Sequence, residues 1–188
     1  MKKIFLFALL FVACIHTSTP LAEIVELRSG PLVLRVPTNR QILAFKGVRH
    51  DVLTMTFSEK SYVAEGIVSS DEHGLTIVVF SGVFGELMRI SILDGVLTYA
   101  ASPQIPKEFK PEFLLVDFLM INGYTDELKA WSGGNIEVRQ TLTGRTFLRS
   151  SQVLGSLEQV SGTDRSPVLL YRNHYFGYAL RIETLQDD

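Results

Sequence analysis

Residues 87–99 read LMRISILDGVLTY, and this stretch decides the class of the fold. Apolar and polar residues partly alternate before the pair Asp94-Gly95, and an apolar, β-branched and aromatic run follows it. An Asp-Gly pair between two such runs is a strong short-range signal for a β-hairpin, because both residues tolerate the positive φ of a tight turn. The stretch therefore predicts two antiparallel strands.

Strand signals continue on both sides of this hairpin. We expect strands at residues 32–36, 42–46, 52–57, 62–69, 75–80, 87–93, 96–99, 136–142, 145–149, 153–160, 168–172 and 178–185. Strands at such close spacing, separated by short turns, are typical of an antiparallel sheet.

A helical segment interrupts the strands. Prolines mark residues 102–111 as a connector, and Pro111 suits the first turn of a helix. Residues 112–121 are predominantly apolar, which predicts a helix with a broad buried face. A second, short helix is predicted from Thr125 through Trp131, ended by two glycines.

The composition indicates one globular domain. Of the 188 residues, 46% are hydrophobic and 20% are charged, and the formal net charge is -2. No basic block favours a nucleic-acid partner, and no apolar run reaches the ~18–20 residues of a membrane span. The predicted fold is mainly β (α+β), a strongly curved antiparallel sheet with a short helical insert packed on one face.

The N-terminus differs in kind from the rest of the chain. Lys2 and Lys3 precede an apolar run, residues 4–13, which has the length of a signal-peptide core. Cys14 follows at once and is the only cysteine. Residues 11–14, Phe-Val-Ala-Cys, resemble a lipobox, the signal read by lipoprotein signal peptidase. We therefore expect residues 1–13 to be removed and Cys14 to carry lipid.

Lipidation explains why a lone cysteine stands at this place. One acyl chain anchors a protein only marginally, at ~0.8 kcal/mol per buried methylene, whereas several chains on one residue make a lasting anchor. The alternative is an ordinary secretory signal cut after Ala22, which Pro20 fits poorly as the third residue before the cut. His16, two residues after Cys14, is not an aspartate, so an outer-membrane address is expected.

Three stretches carry a resemblance to a known family. They are residues 80–87 (FSGVFGEL), residues 111–119 (PEFLLVDFL) with the helix that follows, and residues 170–185 (LYRNHYFGYALRIETL). Together they resemble the lipoprotein family called domain of unknown function 3261, often encoded beside aryl polyene lipid synthesis genes. That family is similar in fold to LolB, the outer-membrane receptor that accepts lipoproteins from a periplasmic carrier.

The resemblance implies a LolA/LolB-like half-open barrel formed by residues 24–188, with residues 14–23 as its lipidated tether. Val83 and Phe84 stand where LolB projects an apolar residue from a loop between strands, and contact with membrane or cargo is expected there. The alternative is a β-bulge with Phe84 tucked into the core. The helical insert is expected on the concave face as a lid or plug. Its cavity or lid residues are Phe113, Leu114, Phe118, Leu119 and Trp131.

The sequence contains no constellation typical of an enzyme, a metal site or a cofactor site. His50-Asp51 could form a base with its orienting carboxylate, but a solvated turn is the expected structure. Asp117 is expected to be a structural carboxylate bonded to the backbone or to a basic side chain. Three arginines on neighbouring strands form either a solvated face or a contact to an anionic headgroup at the cavity rim: Arg139, Arg145 and Arg149.

We expect a monomeric, non-enzymatic lipoprotein on the periplasmic face of the outer membrane. Its partners are membrane lipids and a periplasmic LolA-like carrier, and its cargo is an acyl chain, a lipoprotein or an aryl polyene lipid that it helps to insert. The alternative is a structural envelope lipoprotein that scaffolds a membrane complex. A carrier should hold a continuous apolar cavity, whereas a scaffold should have a filled interior and an exposed apolar patch.

Overall fold

The computed structural model describes residues 24–37, 42–43, 45–105, 110–162 and 167–185. Within these residues the chain forms twelve strands and two helices. They are β1 (Ile24–Ser29), β2 (Leu32–Pro37), β3 (Gly47–Phe57), β4 (Lys60–Asp71), β5 (Gly74–Ser81), β6 (Gly85–Leu93), β7 (Val96–Ala101), α1 (Pro111–Asn122), α2 (Thr125–Trp131), β8 (Glu137–Gln140), β9 (Gly144–Arg149), β10 (Gln152–Gly162), β11 (Pro167–Asn173) and β12 (Tyr178–Thr184).

Ten strands form one antiparallel sheet in the order β7-β6-β5-β4-β3-β12-β11-β10-β9-β8. The strands before the helices and those after them meet where β12 pairs with β3, with Tyr178 opposite Phe57 and Thr184 opposite Asp51. The two outer strands, β7 and β8, do not pair with each other, so the sheet is a half-barrel and not a closed barrel. The predicted curved antiparallel sheet with a small helical insert is confirmed.

Helix α1 fills the concave face of this sheet. Every residue from Leu114 to Ile121 is buried. The burial extends around the whole circumference because the sheet covers one side of the helix and the hairpin of β1 and β2 covers another. A helix that is apolar on all sides requires such cover. The sequence predicted only a broad buried face, since it gave no sign that β1 and β2 form a separate sheet over the helix.

One hydrophobic core joins the sheet, both helices and the covering hairpin. Its largest fully buried side chains include Phe118 of α1, Phe147 of β9 and Tyr171 of β11. Leu27 and Leu34 reach the same core from β1 and β2. The hairpin is therefore part of the domain rather than an appendage.

The predicted strand at residues 42–46 is wrong. Of these residues, 42, 43, 45 and 46 are described and none belongs to a strand. Ile42 and Leu43 are apolar because both pack into the core from a connection that leads into β3. A short apolar run cannot by itself distinguish such an anchor from a strand.

The expected polar turn at His50-Asp51 is also wrong, because both residues lie inside β3. Consecutive residues of a strand point to opposite faces. Asp51 is buried, with its Oδ2 2.9 Å from Arg49 Nε and its Oδ1 accepting a hydrogen bond from the Thr184 hydroxyl at 2.8 Å. His50 Nε2 instead lies 3.1 Å from Glu65 Oε2. The His50 imidazole is therefore not oriented as a base by the Asp51 carboxylate.

Candidate functional site

Four turns of the sheet lie together at one end of the half-barrel. Strands β3, β5, β9 and β11 run in the same direction, and each of them ends there. The turns are residues 58–59, 82–84, 150–151 and 174–177. The turn of the covering hairpin reaches the same end, because a Cβ on Gly30 would lie 2.3 Å from the Tyr175 ring.

The tip of the β5–β6 hairpin projects two apolar side chains into solvent. Val83 is 84% exposed and Phe84 is 60% exposed. The tip is held by a hydrogen bond from the Val83 N–H to the Ser81 hydroxyl at 3.3 Å, and Gly85 closes it with a φ of +69°. A register shift does occur in this hairpin, but at Val79 and Phe80. Phe84 is thus outside the core.

The exposed side chains at this end form a set that we call the apolar rim. It consists of Phe57, Tyr62, Val83, Phe84 and Tyr175. Sequence reasoning identified only Val83 and Phe84 of this set. Exposed apolar side chains also occur at the opposite end of the sheet, among them Leu93, Val96 and Leu142. Exposed apolar groups that lie together are a feature of surfaces that contact proteins or membranes.

The strand register places Phe57 and Tyr62 beyond the end of β5. β4 pairs with β5 only from Glu65 onward, so residues 60–64 extend past the end of β5 together with the opposing part of β3. Phe57 shares a face of β3 with the buried Leu53. At the end of this face, where β3 and β4 extend past β5, the Phe57 side chain is 48% exposed. The core therefore continues into an uncovered apolar surface.

Four of the five predicted cavity or lid residues lie inside the core. Leu114, Phe118, Leu119 and Trp131 are buried, and Phe113 is half-buried. The Phe113 ring stacks on Phe176 with 4.6 Å between ring centroids. Phe176 in turn meets the ring of Tyr175 edge to face at 4.9 Å. The N-terminal end of α1 is thus linked to the apolar rim through aromatic contacts.

A polar cluster fixes the middle of α1 to the sheet. Asp117 Oδ1 accepts hydrogen bonds from the Tyr171 hydroxyl at 2.9 Å and from Asn173 Nδ2 at 3.1 Å. Asp117 Oδ2 accepts one from the Tyr178 hydroxyl. The expectation of a satisfied structural carboxylate fits this arrangement, but its partners are neutral side chains rather than backbone or basic groups. Burial raises the pKa of Asp117 to about 7, and the bonds from Tyr171 and Asn173 act in the opposite direction.

The C-terminal end of α1 is held by two arginines. Arg145 of β9 donates to the carbonyl oxygens of Ile121 and Gly123, groups that a helix end leaves without intrahelical partners. Arg49 of β3 donates to Asn122 Oδ1 at 2.8 Å. Positive charge at this end also interacts favourably with the negative end of the helix dipole. Burial lowers the pKa of Arg145, which is the electrostatic cost of placing a guanidinium there.

The three arginines considered as a group from the sequence therefore lie in three different places. Arg139 pairs with Glu137 on the surface of β8. Arg145 is directed inward to α1. Only Arg149 lies near the apolar rim, where it donates to the carbonyl oxygen of Pro31.

Among the described residues, little space is left between α1 and the covering hairpin near Asp117. A cavity of about 10 Å³ lies against Asp117, between α1, the covering hairpin and β11. Such a space holds at most one water molecule. In this conformation α1 occupies the position that an acyl chain in the concave face would take.

Cys14 lies outside the described residues, so its expected lipidation stays a prediction. None of the described helices combines the length and the apolar character that crossing a bilayer demands.

Fold and site together define an open antiparallel half-barrel with an apolar helix held in its concave face and an apolar rim at one end. The chain belongs to the family described as "Protein of unknown function (DUF3261)", whose model matches residues 49–186. The predicted family is thereby confirmed. The match includes α1, the four turns of the sheet at the end where the apolar rim lies, and the partners of Asp117. It does not include the covering hairpin. No match was found among curated proteins.

Proposed function

We propose that this protein is an outer-membrane lipoprotein that binds hydrophobic cargo and helps to insert it into the membrane. Its cargo is an acyl chain, a lipoprotein or an aryl polyene lipid, delivered by a soluble periplasmic carrier. Binding and delivery of this kind need apolar surface rather than a catalytic group.

The observation that carries the proposal is the exposed pair Val83 and Phe84. An apolar pair at the tip of a tight hairpin adds nothing to the core, so its hydrophobic surface is available to an external partner. Tyr62 and Tyr175 of the same rim have the amphipathic rings that are enriched at membrane interfaces. A bilayer is therefore the partner that suits the rim.

The length of the tether is compatible with this orientation. Nine residues lie between Cys14 and Ile24, and an extended chain over these ten Cα–Cα steps reaches at most ~35 Å. β1 spans about 20 Å from Ile24 toward the end where the rim lies. Lipid on Cys14 therefore does not prevent the rim from reaching the bilayer.

Cargo and α1 compete for the same space in this proposal. Displacing α1 exposes seven apolar side chains from Leu114 to Ile121, at a cost of about 10 kcal/mol or more. An acyl chain of about sixteen carbons gains a similar amount, at ~0.8 kcal/mol per buried methylene. A bound acyl chain therefore offsets a large part of the cost of displacing the helix.

Native mass spectrometry of the gently extracted lipoprotein tests the proposal. We expect bound lipid above the mass of the lipidated chain, together with faster amide hydrogen exchange at residues 114–121 in the lipid-bound form. A bare chain with equally slow exchange after incubation with lipid would contradict cargo binding in the concave face.

The second candidate, a structural lipoprotein that scaffolds a membrane complex, is favoured by the filled interior. In a scaffold α1 stays in place permanently, and the apolar rim or the outer strands β7 and β8 bind a partner protein. This function predicts a bare chain in the mass spectrum and a larger complex on gentle extraction.

A further inference from the structure

A second pocket lies between the covering hairpin, the loop after α2 and the end of β9. Its volume is about 210 Å³. The hairpin contributes Arg28 and Arg35, β9 contributes Arg149, and the α2 loop contributes Asn135. These residues come from distant parts of the chain, and folding alone brings them to one place.

The pocket carries an excess of positive charge. The three guanidinium groups are accompanied in the lining by a single carboxylate, that of Glu26. Glu26 already pairs with Arg28 at 2.5 Å and with Arg35 at 3.3 Å. Arg149 has the neutral carbonyl oxygen of Pro31 as its acceptor, and no carboxylate of the described residues forms an ion pair with it. An anion can therefore bind without displacing an existing partner of Arg149.

The size and the walls of the pocket restrict the ligand. The volume is below the ~300–1,000 Å³ of typical small-molecule pockets, which suits a headgroup rather than a whole lipid. Leu32 and Trp131 contribute apolar wall. Guanidinium groups bind phosphate oxygens through paired, charge-assisted hydrogen bonds.

The pocket lies beside the apolar rim. Pro31 belongs to its lining and directly follows Gly30, which is in close contact with the Tyr175 ring. Arg149 precedes the turn at residues 150–151, which is at the same end of the sheet. If the rim enters a bilayer, the pocket is at the level of the lipid headgroups.

We propose that this pocket binds the phosphate headgroup of a membrane lipid. The lipid source rests on the proposed function, whereas anion binding by the pocket does not. The headgroup phosphate binds between Arg149 and the pair Arg28 and Arg35, and its glycerol end faces Leu32 and the rim.

The only tryptophan of the chain provides the readout, because Trp131 lines the pocket. The detergent-solubilised, lipidated protein is titrated with three probes while Trp131 emission is recorded. The probes are inorganic phosphate, dihexanoyl phosphatidylglycerol and dihexanoylglycerol, which lacks phosphate. We expect saturable binding of the phospholipid, weaker binding of phosphate and no saturable response to the neutral lipid.

Arg149→Gln should weaken phospholipid binding about tenfold, as expected for the loss of one charge-assisted contact. Arg172→Gln is the matched control, because it removes the same charge from a surface pair with Glu158. Arg28→Gln is a second variant that leaves the contact between Arg149 and Pro31 intact, and it should weaken binding in the same direction.

Equal affinities for phosphate and phospholipid would assign the pocket to a free phosphate and overturn the lipid source. No emission change with either anion, or equal loss in Arg149→Gln and Arg172→Gln, would overturn the site itself. Neither result depends on Phe84, so failure of the pocket and failure of the membrane-contacting rim are distinguishable.

Discussion

Asp117 of α1 accepts a hydrogen bond from the hydroxyl of Tyr171 of β11 at 2.9 Å, inside the hydrophobic core. Both residues are almost fully buried. Apolar contacts have no direction, so by themselves they define the position of a helix less sharply than hydrogen bonds do. The polar contact sets one position of α1, because any other leaves a buried carboxyl group without its partners.

This contact predicts a pH-dependent stability. The folded protein holds a proton on Asp117 up to its pKa of about 7, whereas an ordinary aspartate loses it near 3.8. The stabilisation from this proton is complete below the unfolded-state pKa and is lost as the pH rises to the folded-state pKa. Between pH 5 and pH 8 the wild type should lose about 3 kcal/mol relative to Asp117→Asn, measured by urea unfolding.

The exposed aspartate of α2 supplies the control, since Asp126→Asn removes a carboxylate without touching the core. Its free energy of unfolding should change between pH 5 and pH 8 by about as much as that of the wild type. Parallel pH profiles for wild type and Asp117→Asn would show that Asp117 does not hold this proton.

Phe118→Ala tests whether α1 is a permanent part of the core in the cargo-free protein. Phe118 is fully buried, and truncation of such a ring costs about 3–5 kcal/mol. Phe84→Ala removes the same atoms from an exposed site and should change the free energy of unfolding by less than about 0.5 kcal/mol. Similar unfolding free energies for the two variants would indicate that α1 is not packed as described.

Phe84→Glu should leave thermal stability unchanged and slow the transfer of a fluorescently labelled phospholipid between vesicles. We expect a slowing of about tenfold or more, because a carboxylate in hydrocarbon costs about 2 kcal/mol or more. Leu142→Glu is the control, since Leu142 is fully exposed in the turn between β8 and β9 at the opposite end. Equal transfer rates in the two variants would exclude a special role for the rim.

Cys14→Ser should abolish labelling of the protein by radioactive palmitate and release it from the membrane fraction. The physical reason is the loss of the only thiol that can accept a diacylglyceryl group. Cell fractionation and immunoblotting measure the release. Continued membrane association of the unlabelled variant would mean that the rim or another surface anchors the chain.

Local patterns predicted most of the elements. The Asp94-Gly95 pair marks the turn between β6 and β7, as expected. The apolar run at residues 112–121 became α1, and α2 begins at Thr125 and ends at Trp131 as predicted. These features depend on the chemistry of neighbouring residues, which a sequence displays directly.

The candidate site was less accessible to sequence reasoning because it depends on register. Phe57 and Tyr62 lie where β3 and β4 extend past the end of β5, an offset that no local pattern encodes. β1 was not predicted, and its outward face carries two residues of the anion pocket, Glu26 and Arg28. Arg149 joins them across more than a hundred residues of chain. The sequence did contain a signal for β1, since the apolar residues Val25 and Leu27 alternate with the charged residues Glu26 and Arg28.

The most direct test of the account measures the depth of residue 84 in a bilayer. The lipidated Phe84→Trp protein is bound to vesicles whose lipids carry bromine on their acyl chains, and the fluorescence quenching is compared with that of Leu142→Trp. Trp131 is buried and gives the same background in both. We predict strong quenching of Trp at position 84 and none at position 142. Equal, weak quenching at both positions would contradict entry of the rim into the membrane.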